Sequence, residues 1–366
     1  MDYTYLHHQI GLTLLHNVGP VRARHLLELL GGIEPLFQLN NSELQAITGY
    51  KRSFFLGMKR DEALAESDRT INHLYKNDIR PSFYTDSTYP RRLGNCQDAP
   101  LMLYQKGALD LNDKQWVSVV GTRASTNYGK SIVQDLIESF RDRDIVVVSG
   151  LALGIDGYVH NYCLDYNVPT VAVLGHGLDR VYPYRHRGLS KRIEEHGSLI
   201  TEFIPGTNPD RENFPKRNRI VAGMCDATIV VESKRRGGSL ITADLANGYN
   251  RDVFAFPGSV YAETSAGCHE LIKNDLAHLI QTPNDFLRYM DWNEGDKKKS
   301  PAQSKLFVEL TDEQKLIVDS IRAKPIHIDV LSGRVEKPIS ELNVSLTILE
   351  MDGVIQQLPG KLYSVC

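Results

Sequence analysis

Short apolar runs alternate with amphipathic segments through the middle of the chain, and this pattern predicts an α/β fold. Six runs have the composition of buried strands, at residues 117–121, 145–149, 171–175, 199–202, 229–233 and 253–257. Helical periodicity accompanies them near residues 129–141, 156–166, 190–196, 217–225, 240–249, 268–275 and 283–290. Strands that alternate with helices build parallel sheets, so we expect a parallel sheet flanked by helices.

The two ends of the chain have different patterns. The first part is helical in period, with glycine-containing breaks, and the last part reads as three helices followed by a strand–turn–strand wing. The segment before that last part is charged and poor in apolar residues, which is typical of a flexible linker. The predicted domains are a helical domain at 1–78, a central α/β domain at 79–290, a linker at 291–305 and a winged-helix-like domain at 306–366.

The third helix of the winged domain is poorly suited to phosphate. This helix and its exit carry Glu341, Glu350 and Asp352, and they contain no lysine or arginine. In a DNA-binding winged helix this element would enter the major groove. The acidic character therefore favours contact with protein over contact with DNA for this domain.

Net charge, cysteine content and hydropathy limit the classes of protein to which this chain can belong. The 366 residues carry a formal net charge of −3, so any affinity for a polyanion must come from local clustering of cations. The five cysteines are scattered without a CxxC pair, as in a reduced cytoplasmic protein, and they suggest neither a disulfide framework nor a zinc site. We expect no signal peptide and no membrane span, because no basic, apolar leader and no apolar run of about 18 residues is present.

Cations follow four of the predicted strands. Loops after parallel strands emerge at one edge of the sheet, so cations far apart in sequence would share one rim there. These cations are Arg123, Arg185, Arg187, Arg211, Lys216, Arg217, Arg219, Lys234, Arg235 and Arg236. A long polyanion is the expected partner. Phe214 lies among these cations, and a ring between cations is the composition of surfaces that stack the bases of single strands.

Glycine turns at the same edge predict close approach to a ligand. Gly121 and Thr122 precede Arg123 between a strand and a helix, a setting that suits a phosphate at the helix N-terminus. The segment lacks the GxGxxG pattern of dinucleotide sites, and Ala124 replaces the first glycine of a Walker A loop, which argues against ATP hydrolysis by that route. Further glycine-containing turns include Ser149 and Gly150, Gly177, and Gly238 with Ser239. Asp156, after the second turn, fits either a ligand-facing role or a plain helix cap.

The helical domain contains a possible helix–hairpin–helix at residues 15–23, with a degenerate second copy at 44–55. A turn of this kind can hold one phosphate through backbone N–H groups, or it can be an ordinary helix corner with a glycine cap. The sequence leaves both interpretations open.

Catalytic constellations are not recognisable. The chain has no GxSxG elbow, no HExxH motif and no cysteine–histidine pairing of a familiar spacing. Glu202 and Glu232 end two predicted strands, where they suit structural pairing with nearby arginines at least as well as catalysis. We therefore expect a binding protein with no catalytic residue, no metal and no cofactor.

Six runs in this order resemble the DNA-processing protein family DprA, also called Smf. They read VVGTR, SGLALGID, VLGHGLDRVYP, FPKRNRIVAG, GGSLITADLA and VFAFPG, with YPRRL and LMLYQKG upstream. The similarity covers most of residues 89–280, and the flanking helical and winged domains also fit the family. Gly267-Cys268-His269 and Asn274-Asp275 depart from the family pattern, which affects detail near residues 267–276 and not the fold.

The resemblance implies an extended Rossmann-like domain without dinucleotide, which binds single-stranded DNA and loads the recombinase RecA during natural transformation. It also implies a homodimer. By motif, contacts to DNA would fall on Arg123, Gly177, Arg211 and Phe214. With the rim and glycine turns, the candidate DNA-binding residues are Gly121, Thr122, Arg123, Ser149, Gly150, Gly177, Arg211, Phe214, Lys216, Arg217, Arg219, Gly238 and Ser239.

Two alternatives remain open at this point. A related Rossmann-like group, the nucleotide N-glycosidases that make cytokinin, carries a PGGxGTxxE motif, but here Arg236 precedes the glycine pair and Leu240-Ile241 replaces the following Gly-Thr. A sequence-specific repressor of duplex DNA is disfavoured by the acidic third helix of the winged domain. Phe214 also has a second interpretation, as a core residue beside arginines that pair with Glu202 or Glu232.

Overall fold

The computed structural model describes residues 3–292, 311–322, 326–351, 354–358 and 362–365. The chain divides into two compact units, Met1–Glu294 and Gly295–Cys366. Among the described residues, no helix has the length and apolar character that crossing a membrane requires.

The first unit opens with six helices. They are α1 (Tyr3–Leu14), α2 (Pro20–Leu30), α3 (Glu34–Gln38), α4 (Asn41–Thr48), α5 (Arg52–Gly57) and α6 (Arg60–Lys76). Their apolar faces share one buried cluster with Phe83, Leu101, Met102 and Tyr104, which lie on or beside the first two strands. The helical domain and the edge of the sheet are therefore joined by a continuous core.

A mostly parallel sheet follows. Its elements are β1 (Arg80–Phe83), α7 (Arg91–Gly94), β2 (Met102–Gly107), β3 (Gln115–Val120), α8 (Asn127–Ser139), β4 (Ile145–Ser149), α9 (Ile155–Asp165), β5 (Thr170–Val173), α10 (Arg187–His196), β6 (Ser198–Thr201), α11 (Asn213–Gly223), β7 (Ala227–Val230), α12 (Gly238–Gly248), β8 (Asp252–Ala255), α13 (Ala266–Lys273), β9 (His278–Leu279) and α14 (Pro283–Tyr289). The nine strands are ordered β1-β2-β6-β5-β4-β3-β7-β8-β9. Strands β3 to β9 are parallel, which confirms the predicted fold class, whereas β1 and β2 add an antiparallel edge.

Both faces of the sheet are covered, which is why its strands are nearly continuous apolar runs. In β4, Ile145 and Val147 face one buried cluster, while Val146 and Val148 face the other. Helices α8 and α9 pack on the first face, and α11 and α12 pack on the second. The result is three layers, helices–sheet–helices, with all the loops after the parallel strands at one edge.

The second unit is small and has its own core. It contains α15 (Asp312–Ile321), β10 (Ile326–His327), α16 (Ile328–Val335), α17 (Ile339–Met351), β11 (Ile355–Leu358) and β12 (Leu362–Val365), with the sheet order β10-β12-β11. Antiparallel pairing of β11 with β12 forms the wing. Its turn and the exit of α17 that contains Asp352 lie outside the described residues, as does most of the predicted linker.

Candidate nucleic-acid interface

The strand order places the candidate site at the carboxyl edge of the sheet. Strands β4, β5 and β6 lie on one side of β3, and β7, β8 and β9 lie on the other. The loops that follow β3 and β7 therefore lead to helices on opposite faces of the sheet. Open α/β sheets bind ligands at such a point.

The N-terminus of α8 is filled by the protein itself. Thr126 caps the helix by accepting a hydrogen bond from the Gly129 backbone N–H. The buried Glu232 carboxylate accepts hydrogen bonds from the Thr126 N–H at 2.9 Å and from its hydroxyl at 2.7 Å. A Cβ at Gly129 would lie 2.2 Å from the Glu232 carboxylate oxygen. A phosphate expected at this helix end from the sequence is thus replaced there by Glu232.

Backbone hydrogen bonds join the loop after β3 to the segments that follow β7 and β4. The Thr122 N–H donates to the Glu232 carbonyl at 2.7 Å, and the Thr122 carbonyl accepts from the Ile155 N–H at 3.2 Å. Gly121 lies against Ile155, and a Cβ on it would come within 2.5 Å of the Ile155 side chain. Gly121 and Thr122 therefore act on the geometry of the loop, and they leave the Arg123 side chain exposed beyond it.

Arg123, Phe214 and Tyr182 form the centre of the edge. The Arg123 guanidinium carbon lies 5.4 Å from the centre of the Phe214 ring, and the Tyr182 ring is 5.8 Å from that ring. Phe214 is half-buried, and a Cβ on Gly175 would lie 3.2 Å from its ring. A cation and two rings from three separate loops or helices thus meet at one surface. We call Arg123, Tyr182 and Phe214 the edge cluster.

Gly177 and His176 hold the loop that carries Tyr182. The buried Gly177 donates its N–H to the Thr207 carbonyl at 3.2 Å, and a Cβ there would lie 2.6 Å from the Ile204 carbonyl oxygen. The His176 Nε2 accepts from the Tyr182 N–H at 3.3 Å, while its Nδ1 is 2.9 Å from the Gly177 carbonyl oxygen. Burial lowers the pKa of His176, which suits this neutral form. Gly177 therefore shapes the site from below and does not face it.

Arg217 points into the protein. Arg217 is 5% exposed. Its guanidinium lies beneath the loop after β4 and donates a hydrogen bond to the Val173 carbonyl at 3.1 Å. A Cβ on Gly150 would lie 1.2 Å from an Arg217 nitrogen, so only glycine leaves room for this guanidinium. The Gly150 N–H donates to Asp156 at 3.1 Å. Burial raises the pKa of Asp156 and lowers that of Arg217, and the opposite charges of the two groups counter both shifts. The assignment of Arg217 to phosphate contact does not fit this geometry.

Arg219 is also engaged within the protein. It forms an ion pair with Glu202 and donates to the Asp98 carbonyl. Burial raises the pKa of Glu202, and the charge of Arg219 opposes that effect. The structural pairing that the sequence offered as an alternative is therefore present for Arg219. Asp156 accepts N–H groups of the preceding loop, a structural role that the sequence had left open.

The remaining candidates divide into exposed and buried groups. Arg211 and Lys216 are exposed and form no ion pair within 4 Å in the part of the chain that the structure describes. By contrast, Lys234 pairs with Glu263 at 2.9 Å and Arg235 with Glu270 at 2.8 Å. Gly238 is exposed at the start of α12. The buried hydroxyls of Ser149 and Ser239 donate to the Val119 carbonyl and to the Ser233 hydroxyl, so both serve the fold.

Sequence reasoning did not select Tyr182, Gly175 or Glu232 as site residues. Tyr182 stands in the VLGHGLDRVYP run, beside arginines, and that neighbourhood was its available signal. The role of Glu232 depends on a contact with Thr126, 106 residues away, which no local pattern reveals.

Comparisons with known proteins converge on one family. The family model described as DNA recombination-mediator protein A matches residues 80–291, and the model described as DprA winged helix domain matches residues 299–361. Protein Smf of Synechocystis is 31% identical, with 94% of this chain and 95% of that protein covered. DNA processing protein DprA of Streptococcus pneumoniae is 43% identical, with 57% of this chain and 73% of that protein covered.

Two solved structures are similar as well. The X-ray structure of DprA from Streptococcus pneumoniae has a TM-score of 0.65 and 35% identity, covering 78% of this chain and 98% of its own. DprA from Helicobacter pylori, whose structure describes a single-stranded DNA binding mode, has a TM-score of 0.54 and 26% identity, covering 58% of this chain and 96% of its own.

Proposed function

Because this chain belongs to the DprA (Smf) family of DNA-processing proteins, we propose that it binds single-stranded DNA across the carboxyl edge of its sheet and loads the recombinase RecA onto that strand. The observation that carries the proposal is the edge cluster, in which Arg123 lies over the half-buried Phe214 ring beside Tyr182. A related structure describes single-strand binding by the Helicobacter pylori protein, which supports the choice of ligand.

The edge cluster suits an unpaired base. Bases splayed from a single strand stack on aromatic rings and on arginine guanidinium planes. Phe214 rests on the Gly175 backbone and Arg123 covers it, so a base can stack on the guanidinium or take its place on the ring. Bases in an intact duplex are already stacked on each other, which favours single strands over duplex for this surface.

Charge around the edge cluster suits the phosphates. Arg123, Arg211 and Lys216 are exposed and lack acidic partners within 4 Å among the described residues, so their charges are available to a polyanion. Each phosphate that a cation neutralises releases bound counterions from the strand. Affinity should therefore fall with salt, with a log–log slope that counts these contacts.

We propose that the protein acts by binding and without catalysis of its own. This proposal is tested by measuring the release of ribose 5-phosphate from purine nucleotides. The nucleotide N-glycosidase alternative requires this activity. We expect no release above the uncatalysed rate. Turnover that disappears in a Glu232→Gln variant would support the enzyme instead.

The decisive experiment measures Kd for a dT oligomer at several salt concentrations. For Arg123→Gln and Arg211→Gln we expect weaker binding and a log–log slope smaller by about 0.7 for each lost contact. For Phe214→Ala we expect a loss of about 1–3 kcal/mol with nearly the same slope, since stacking releases no counterions. Arg141→Gln is the matched control, because Arg141 is exposed and lies before β4, at the opposite edge of the sheet. Folded variants that all bind like wild type would refute the site.

Recombinase loading is tested separately on a strand coated with single-strand-binding protein. We expect the wild type to speed recombinase filament formation, measured as DNA-dependent ATP hydrolysis by the recombinase. Phe214→Ala should lose this effect in proportion to its loss of DNA affinity. Normal DNA binding without any acceleration would leave the binding proposal standing and remove the loading proposal.

A further inference from the structure

A second group of cations and rings lies on the helical domain. The Arg22 guanidinium carbon is 5.5 Å from the centre of the Phe54 ring, and Phe54 stacks on Tyr50 with ring centres 4.9 Å apart. Lys51 and Arg52 are exposed between these two rings in sequence. We call Arg22, Tyr50, Lys51, Arg52 and Phe54 the helical-domain patch.

Two turns build this patch. The first joins α1 to α2, and Arg22 fixes it by donating to the Asn17 carbonyl at 2.6 Å. The second joins α4 to α5 through Gly49, whose φ of 73° is accessible to glycine at little cost. These are the two segments that the sequence marked as helix–hairpin–helix copies. The structure brings them together at one surface.

Charge on the helical domain is concentrated at the patch. Arg22, Lys51 and Arg52 form no ion pair within 4 Å in residues 3–292. Among the other exposed cations of the domain, Lys59 pairs with Glu62 and Arg69 with Glu66, while Lys76 at the end of α6 has no ion pair within 4 Å in residues 3–292. Arg24 and Arg60 are less available than Arg22, because each is partly buried and donates from both terminal guanidinium nitrogens, whereas Arg22 is exposed and donates from one.

A groove is lined by sequence neighbours of both surfaces, and by no residue of the edge cluster or of the helical-domain patch themselves. It has a volume of about 450 Å³ and lies within the first unit, between the α1–α2 turn and the sheet edge. Val18 and Gly19 line it on one side, and Phe203, Lys216 and Arg219 line it on the other. Lys216 stands two residues after Phe214, and Gly19 stands three residues before Arg22. Glu202 also lines the groove and pairs with Arg219, and Lys216 lies near the same carboxylate without an ion pair to it, so these three groups leave the groove with a net positive charge.

We propose that a single strand bound at the edge cluster continues past Lys216 through this groove, and that the helical-domain patch is its second contact. The proposal rests on the proposed function. Both ends of the path have the same chemistry, an arginine over a phenylalanine beside a tyrosine, with unpaired cations nearby. Stacking of bases on such groups, with cations along the backbone, is how single strands bind without sequence preference.

The length of the strand provides the test. Single-strand sites span about 4–16 nucleotides, so a dT oligomer of about 5 covers the edge cluster alone and one of about 20 can reach the patch. For Arg22→Gln and for Lys51→Gln with Arg52→Gln, we expect about tenfold weaker binding of the long oligomer and less than about twofold change for the short one. The double variant should also reduce the salt slope of the long oligomer by about 1.4, for two phosphates. Arg69→Gln is the matched control, since Arg69 is an exposed, paired cation of the same domain.

The outcomes separate the two proposals. If Phe214→Ala weakens both oligomers while the patch variants weaken neither, the second contact is refuted and the edge site stands. If the patch variants weaken the long oligomer but Phe214→Ala changes neither, the edge site is refuted. A patch that binds duplex or an acidic protein would leave single-strand affinity at both lengths unchanged, which also refutes this proposal. Far-ultraviolet circular dichroism of each variant checks that the helical domain is folded.

Discussion

At the scale of single residues, two arginines of the predicted cationic rim differ in exposure. Arg123 projects outward over Phe214, whereas Arg217 is buried beneath Gly150. Helix α11 begins at Asn213, earlier than the periodicity predicts, and it turns Arg217 to the same side as the buried Ile220 and Val221. The sequence pattern begins this helix at residue 217, at the rim of the sheet, and therefore assigns Arg217 to phosphate together with Arg123. The longer helix buries Arg217, and only Arg123 remains exposed at the rim.

We predict that Arg217→Met lowers the free energy of unfolding by about 3 kcal/mol. The change removes the hydrogen bond to the Val173 carbonyl and the positive charge that offsets the burial of Asp156, and loss of such compensation for a buried charge costs about 3–5 kcal/mol. Urea denaturation measures this loss. At a temperature where the variant remains folded, the salt slope for single-strand binding should equal that of wild type, because no phosphate contact is lost. A normal unfolding free energy with a reduced slope would show that Arg217 reaches DNA.

His160 predicts how stability depends on pH. The imidazole is fully buried, its Nδ1 lies 2.8 Å from the Thr170 hydroxyl, and its Nε2 has no partner among the described residues. Burial lowers the pKa of His160 from 6.5 to about 3. Between these values the unfolded chain binds a proton that the folded chain does not, so stability falls as the pH falls through this range.

Wild-type protein should therefore lose about 2 kcal/mol through His160 between about pH 7.5 and pH 5. A His160→Gln variant lacks this titration, so its unfolding free energy should change less over the same interval by about that amount. Urea titrations of both proteins at the two pH values give the difference. Parallel pH profiles for the two proteins would mean that His160 has the same pKa in the folded and the unfolded chain, which would contradict the prediction.

At the scale of elements, burial decided what the sequence could predict. The six central strands were located within about three residues because each is buried on both faces and reads as an apolar run. Strand β1 has the sequence RPSF, with a proline and an exposed arginine, and β9 has only two residues. Edge strands of this kind carry no apolar run and no alternation. Their place in the sheet comes from contacts with β2 and β8 and not from local pattern.

The site was predictable to the level of loops and not of side chains. Strand ends correctly placed Arg123 and the turns of Gly121, Gly150 and Gly177 at one edge. Which of these residues face outward depends on long-range packing, such as Glu232 filling the start of α8 and Gly150 making room for Arg217. Sequence spacing does not encode these contacts.

The winged unit supplies a prediction at this scale. Helix α17 contains no lysine or arginine, and it exposes the apolar side chains of Val344 and Ile348, one turn apart. These features fit contact with protein better than contact with phosphate. We expect a chain ending at Glu294 to bind single-stranded DNA within about tenfold of full-length protein. This end point retains Trp292, which packs on Phe286. A loss larger than about 1.4 kcal/mol would show that the winged unit contacts DNA.

At the scale of the whole molecule, the sheet has two edges with different character. At the β1 edge, Asp86 accepts the Phe83 N–H, and Pro81 has no N–H to offer, so this edge is protected from further strands. At the opposite edge, β9 pairs only with β8 among the described strands. Leu276, Leu279 and Tyr289 are exposed around β9, with 42%, 49% and 52% of their surfaces accessible. An open strand edge with apolar neighbours is suited to pairing with another chain.

We therefore predict that two copies associate through the β9 edge. Sedimentation equilibrium of wild-type protein should show a monomer–dimer equilibrium below about 100 µM, and Leu279→Glu should shift it to monomer, because pairing would bury a carboxylate in an apolar contact. Tyr75→Glu is the matched control, since Tyr75 is an exposed ring of the helical domain, away from β9. A wild-type protein that stays monomeric at this concentration, or a Leu279→Glu variant that dimerises like wild type, would contradict the prediction. Unlike the edge cluster, this surface lies outside the DNA path, so the monomeric variant should retain the affinity for a short dT oligomer.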